Sequence, residues 1–229
     1  MIILSLSGSN SVVSDLDSFY FIGPDGLEFV DKRTSKSYGY VSFSGGFISA
    51  FAQDISFVYL GTSAGLYAVE KPVDRYFDQD LSSRVHKETR SSWLDSENIY
   101  SIHGIDRNYL VLGTDAGIEI IHRDYWHLKS ITYNPVKAVH RTVKGDIFYG
   151  GAFGLAVKQA PITVDWVDPD RILTFPFLPD SNVNDIDSIT ENNDTTVGIA
   201  TNDGIMLIQQ RVPLTVSPTA KFFTEYNHG

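Results

Sequence analysis

The stretch that decides the fold is Leu60-Gly61-Thr62-Ser63-Ala64-Gly65-Leu66, which lies between two runs rich in β-branched and aromatic residues. It returns almost unchanged as Leu112-Gly113-Thr114-Asp115-Ala116-Gly117-Ile118. This arrangement predicts a β-hairpin, because two apolar strands flank a short polar loop that ends in glycine. Glycine suits the last loop position, since a type I turn followed by a residue with positive φ closes such loops.

The same hairpin pattern occurs five times along the chain. Weaker copies cover residues 19–27, 147–155 and 197–205. The motif glycines are Gly26, Gly65, Gly117, Gly154 and Gly204, with spacings of 39, 52, 37 and 50 residues. These spacings are typical of a four-stranded propeller blade, which takes roughly 40–50 residues. We predict that all five glycines are structural turn residues in the left-handed conformation.

A second recurring piece precedes each hairpin and predicts a first strand. The residue 18 positions before the motif glycine is apolar in the last four copies, and the residue 16 positions before it is small: Ser49, Ser101, Ala138 and Ser188. In the first copy Ile3–Leu6 shows the same order, so we predict that 2–6 is its first strand, followed by a longer loop. Small residues here indicate strands that converge on a crowded axis. Outer strands are predicted at 38–42, 128–133 and 221–226.

The sequence therefore predicts an all-β protein, a five-bladed β-propeller of four-stranded antiparallel blades around a central channel. Residues 1–229 would form a single domain, with repeats at approximately 1–45, 46–97, 98–135, 136–182 and 183–229. Each blade would come from one continuous segment, and the ring would close by packing between the first and last blades.

The motif resembles the propeller repeat of two-component-regulator sensors. The likeness is carried by residues 60–66 and 112–118, and by the approach Leu178-Pro179-Asp180-Ser181-Asn182-Val183-Asn184-Asp185-Ile186. The tryptophan usual before the Gly-Thr pair of that family is replaced by Tyr59, Val111 and Phe148. The resemblance implies a propeller fold, whereas the family's long double propeller, secretion signal and kinase have no counterpart in these 229 residues.

Composition excludes several function classes. With 18 Lys and Arg against 28 Asp and Glu, the net charge is −10, which argues against a nucleic-acid surface. No cysteine is present, so disulfides, thiolate metal sites and a cysteine nucleophile are excluded. No run of about 18 apolar residues predicts a membrane span. The N-terminal residues lack the basic start of a signal peptide, so we expect an intracellular protein.

Two histidines share one position in consecutive repeats. His103 lies 14 residues before Gly117, and His140 lies 14 residues before Gly154. We predict that the two face each other near one mouth of the channel, either as a hydrogen-bonded structural pair or as ligand-binding residues. The corresponding residues Phe51 and Thr190 do not bind metals in this way, so we predict neither a metal site nor a cofactor.

Aromatic residues gather in the longer segments between hairpins. Tyr76, Trp93, Trp126 and Trp166 are the candidates for binding. Exposed aromatic rings stack on sugars or anchor a protein partner, while the structural alternative is that they cover blade edges.

No catalytic motif is present: the chain has no nucleophile elbow, phosphate loop or zinc-binding helix motif. We therefore predict a non-enzymatic structural or interaction module with protein partners, in one version a component of a phage or virus particle. The first alternative is a carbohydrate- or small-ligand-binding propeller. The second is a glycoside-active enzyme with paired carboxylates around the channel.

Overall fold

The computed structural model describes residues 11–23, 26–43, 46–54, 56–72, 79–87, 97–104, 109–122, 128–130, 134–158, 172–174, 182–192, 194–210 and 220–223. These residues form β-strands in five small sheets, one 3-10 turn and no α-helix, which confirms the prediction of an all-β protein. The chain divides into two compact units, Met1–Ile99 and Tyr100–Gly229.

The first unit contains sheets 1 and 2. Sheet 1 has the order β1-β2-β3-β4-β8 and sheet 2 the order β5-β6-β7-β9. The strands are β1 Ser11–Ser14, β2 Ser18–Gly23, β3 Gly26–Asp31, β4 Lys36–Ser42, β5 Ile48–Gln53, β6 Phe57–Thr62, β7 Gly65–Glu70, β8 Gln79–Asp80 and β9 Val85–Lys87, with the 3-10 turn at Ser82–Arg84.

The second unit contains sheets 3, 4 and 5, each a four-stranded antiparallel meander in chain order. Sheet 3 consists of β10 Ile99–Gly104, which begins at the last residue of the first unit, β11 Tyr109–Thr114, β12 Gly117–His122 and β13 Leu128–Ser130. Sheet 4 consists of β14 Ala138–Arg141, β15 Ile147–Gly151, β16 Gly154–Lys158 and β17 Ile172–Thr174. Sheet 5 consists of β18 Val183–Glu191, β19 Asp194–Thr201, β20 Gly204–Gln210 and β21 Ala220–Phe223.

The motif hairpin joins the second and third strands of every sheet. The backbone angle φ is positive at four of the five motif glycines: 108° at Gly65, 127° at Gly117, 101° at Gly154 and 148° at Gly204. The motif threonine has a role in the same turn, because the hydroxyl of Thr62 donates to the carbonyl oxygen of Gly65 at 2.9 Å. The same bond occurs from Thr114 to Gly117 and from Thr201 to Gly204.

Gly26 corrects the prediction of a left-handed glycine in every copy, since it is not among the glycines with positive φ. It lies in β3 and pairs with Gly23 on one side and with Ser42 on the other. A Cβ atom there would collide with the carbonyl oxygen of Val41. Glycine is therefore required at this position by the close approach of β4.

The first strand of sheet 1 is Ser11–Ser14, not the predicted segment 2–6, which lies outside the described residues. Ser11 pairs with Ile22, just as Ala50 pairs with Gly61 in sheet 2. In both sheets the paired residues lie 15 and 4 positions before the motif glycine. The first copy therefore does not need the longer loop that was predicted for it.

A short parallel strand at the edge of sheet 1 was not predicted. β8 pairs with β4 through Gly39–Gln79 and Tyr40–Asp80, and the amide of Leu81 donates to the carbonyl oxygen of Tyr40 at 2.7 Å. This segment satisfies part of the edge of β4, which would otherwise present unpaired backbone groups.

Apolar side chains fill the space between neighbouring sheets within each unit. Sheets 1 and 2 share a core that includes Tyr20 and Phe29, whose rings meet edge to face at 5.4 Å. On β15, Tyr149 belongs to the core with sheet 3 and Phe148 to the core with sheet 5. Because sheet 4 is covered on both faces, every residue of β15 and β16 is buried.

Candidate functional site

The structure brings His103 and His140 together, as predicted. They lie on β10 and β14, the first strands of sheets 3 and 4. Their ring centroids are 4.7 Å apart with an interplanar angle of 64°, which is an edge-to-face contact. The His140 side chain is only 11% exposed.

His140 also contacts β18, the first strand of sheet 5. Its Nε2 lies 2.7 Å from the Ser188 hydroxyl, which is hydrogen-bonding distance. Its Nδ1 lies 3.8 Å from a carboxylate oxygen of Asp187, whose side chain is 89% exposed. Sequence reasoning identified Ser188 only as a small residue and did not identify Asp187. The available signal was the position of Ser188, 16 residues before Gly204, which places it beside the histidine position of the preceding repeat.

Burial disfavours the charged form of both imidazoles. Burial lowers the pKa of His103 to about 4, and the positive charges of His140 and Arg141 act in the same direction, against the carboxylate of Asp187. Burial also lowers the pKa of His140, which Asp187 and Asp185 oppose. The cluster therefore offers neutral hydrogen-bonding groups beside exposed carboxylates.

Among the described residues, no group of three or more His, Asp or Glu side chains is arranged to hold a metal ion. Within the same ranges, no helix is long and apolar enough to cross a membrane.

The four aromatic candidates cannot be placed. Tyr76, Trp93, Trp126 and Trp166 all lie outside the described residues, so their role in binding stays a prediction.

The structure reveals a repeated aspartate that sequence reasoning missed. Asp15 accepts hydrogen bonds from the amides of Asp17 and Ser18, at 2.9 and 2.8 Å, and from the Tyr20 hydroxyl at 2.5 Å. Lys71 donates to the same carboxylate oxygen as Tyr20, at 3.2 Å. In sheet 2, Asp54 accepts from two amides and from the Tyr59 hydroxyl in the same way. The sequence signal for this contact was an aspartate 11 residues before the motif glycine, followed five residues later by a tyrosine.

Replacing Asp15 by asparagine is expected to lower the free energy of unfolding at pH 7 by about 1 kcal/mol, a value that allows for solvent screening of a partly exposed group. Partial burial raises the pKa of Asp15, but the bonds from Tyr20, two amides and Lys71 outweigh it and hold the pKa at about 2. This stabilisation is present above the ordinary value of 3.8 and is lost as the pH falls through about 2.

Urea unfolding at pH 7, 5 and 3 measures this effect. The difference in the free energy of unfolding between wild type and Asp15→Asn should be smaller at pH 3 than at pH 7. The control is Asp203→Asn, in an exposed turn, which should be as stable as the wild type at all three pH values. A difference independent of pH would show that the charge of Asp15 contributes nothing.

Comparison with known proteins supports the fold. No family model matches the chain, and no curated protein matches it. Among solved structures, the extracellular domain of the putative hybrid two component system BT3049 from B. thetaiotaomicron superposes with a TM-score of 0.66 at 14% identity, over 98% of this chain and 30% of that one. The Myceliophteria_thermophila Cps50 (Swd1) β-propeller domain superposes with a TM-score of 0.69 at 10% identity, over 95% of this chain and 72% of that one.

A third structure, the bacterial surface component PorZ of the type-IX secretion system of Porphyromonas gingivalis, superposes with a TM-score of 0.56 at 11% identity, over 97% of this chain and 33% of that one. The chain thus spans about a third of the length of BT3049 and PorZ. The class that the small antiparallel sheets and these neighbours define is the β-propeller. One neighbour is an extracellular domain, so the intracellular location stays a prediction.

Proposed function

We propose that the five sheets are five blades of one propeller. The support comes from how consecutive sheets meet. In the first unit, Tyr20 of sheet 1 and Leu60 of sheet 2 belong to one buried apolar core. A crystal structure or a cryo-EM map tests the proposal: a closed ring of five blades supports it, whereas an open arc or another number of blades contradicts it.

Two pairs of consecutive sheets in the second unit approach each other closely at glycines. A Cβ atom on Gly113 would lie 2.7 Å from the carbonyl oxygen of Val136, just before β14. A Cβ atom on Gly150 would lie 2.6 Å from Cβ of Val183, at the start of β18. Gly113 on β11 and Gly150 on β15 thus leave room for the start of the following sheet, as expected where strands converge on an axis.

We further propose that the protein is a non-enzymatic interaction module that presents loops to a protein partner. The observation that carries the proposal is the exposure of aliphatic side chains at the turns between first and second strands. Leu16, between β1 and β2, is 95% exposed, and Val143, between β14 and β15, is 74% exposed. A protein partner that contacts these turns would remove this aliphatic surface from water, which favours association.

Affinity capture from the native host with matched variants tests this function. The Leu16→Asp/Val143→Asp double variant should lose a bound protein by about 10-fold or more, because burying two carboxylates in an apolar contact is costly. The control is Phe153→Asp, which puts the same charge on an exposed aromatic at the opposite end of the sheet, in the β15–β16 turn. Equal capture by all three proteins would contradict the proposed role of these turns.

A larger assembly, such as a phage or virus particle, is the proposed setting for this module. Capture should then recover proteins of the assembly in a fixed ratio to the propeller. Recovery of a soluble enzyme or a glycan without other proteins would contradict that setting.

A further inference from the structure

The contacts of His140 join three sheets of the second unit in one row. His103 on β10 meets the His140 ring on β14, and His140 in turn contacts Ser188 on β18. Each of the three residues lies on the first strand of its sheet. The row therefore holds together the three strands whose mutual packing positions sheets 3, 4 and 5.

His140 has a polar neighbour on β18 at each ring nitrogen, and the contact at Nδ1 depends on the charge of the ring. When the ring is neutral, its Nε2 pairs with the Ser188 hydroxyl and its ring packs against His103. When it takes up a proton, both ring nitrogens donate, and the Asp187 carboxylate at 3.8 Å from Nδ1 becomes an ion-pair partner. That carboxylate is exposed, so an ion pair there draws the ring away from the buried contact with His103.

The charged groups around the row act in opposite directions on the two histidines. On β18, Asp185 and Asp187 both favour a charged His140. On β14, Arg141 disfavours a charged His103, and so does a charged His140. Two carboxylates therefore favour a proton on His140. In contrast, His103 faces mainly positive charge, which disfavours a proton there.

We propose that the His103–His140–Ser188 row is an acid-sensitive latch that holds the first strands of sheets 3, 4 and 5 together at neutral pH and loosens them on acidification. A solvent proton binds His140, the Nδ1–H pairs with the exposed Asp187 carboxylate, the ring moves toward that carboxylate, and the contact with His103 is lost. The folded protein holds these imidazoles neutral, whereas the unfolded chain takes up protons near the ordinary pKa of 6.5. Stability consequently falls as the pH drops below about 6.5 toward about 4.

The chain itself supplies the control substitution. The residue that corresponds to His103 in sheet 2 is Phe51, which packs against Tyr20 with ring centroids 5.5 Å apart. Phenylalanine at this position thus retains an aromatic contact without a titratable group. In His103→Phe, a charged His140 would lie beside an aromatic ring that attracts a cation, so the contact should persist in acid.

Hydrogen–deuterium exchange of the full chain at pH 7.5 and pH 5.0, corrected for intrinsic rates, tests the latch. Peptides covering β10 and β14 should exchange about 10-fold faster at pH 5.0 in the wild type, and less than about 2-fold faster in His103→Phe. Peptides from β6 in the first unit serve as an internal reference and should not change. In Asp187→Asn the acid midpoint should move to lower pH by about half a unit, because the charged imidazole loses its partner.

His140→Gln provides a second test if His103→Phe folds poorly. Glutamine can still bond to Ser188 but does not titrate, so the acid response of β10 and β14 should disappear. The proposal is overturned if the wild type shows no acceleration at pH 5.0. It is also overturned if His103→Phe and His140→Gln accelerate as much as the wild type.

Discussion

Replacing Gly150 by alanine is expected to lower the free energy of unfolding by about 3 kcal/mol, at the upper end of the cost of overpacking a core. The added Cβ atom would lie 2.6 Å from Cβ of Val183 and 2.7 and 2.8 Å from its two methyl carbons. Val183 is fully buried in the core between sheets 4 and 5. Its branched side chain has no free rotation to relieve the clash, so β18 would have to shift as a whole.

Thermal unfolding measures this effect directly, and for a chain of this size the loss corresponds to a decrease in Tm of roughly 6–12 °C. Gly104→Ala is the matched control, because apart from Gly104 and its chain neighbours no atom of the described residues lies within 4 Å of a Cβ built at that position. A Gly150→Ala variant as stable as Gly104→Ala would show that β15 and β18 do not approach each other closely, and would remove one support for the proposed ring.

Replacing Phe148 by alanine is expected to cost about 4 kcal/mol, because truncating a buried phenylalanine loses its transfer free energy and leaves a cavity. Phe148 is fully buried and packs with residues of sheet 5, among them Val197 and Met206. The cavity would open between two sheets that are each held by their own backbone bonds, so little collapse can fill it.

Urea unfolding of Phe148→Ala should show a lower midpoint with an unchanged slope. The control is Phe153→Ala, since that ring is 39% exposed at the β15–β16 turn and should cost less than about 1 kcal/mol. Equal losses for the two variants would contradict the assignment of Phe148 to the core between the sheets.

Much of the fold could be predicted from local sequence. The hairpins at Gly65, Gly117, Gly154 and Gly204 were predictable because turn chemistry and strand propensity depend on a few adjacent residues. The contact between His103 and His140 was predictable because the same offset from the motif glycine places both on first strands of consecutive repeats. Because the pattern repeats, the position of a residue in one repeat predicts which residue of the next repeat lies beside it.

Other features depend on pairing between distant segments and could not be predicted in this way. Segment 2–6 is more apolar than Ser11–Ser14, yet Ser11–Ser14 is the strand that pairs with β2, because the short turn at Asp15 joins the two directly. The parallel strand β8 is two residues long and carries no apolar pattern of its own. It exists only because β4 presents an edge to it.

By itself, the sequence determined that this protein is built from five repeated hairpin units of β-strands, since glycine, β-branched and aromatic residues occur at offsets that no other local structure accommodates. The tertiary structure alone decided which groups surround His140. Ser188 and Asp187 lie 48 and 47 residues further along the chain, and only the packing of β14 against β18 brings one within a hydrogen bond and the other within 3.8 Å. The physical reason is that burial and electrostatic environment are properties of the folded neighbourhood, so the lowered pKa of both histidines arises there.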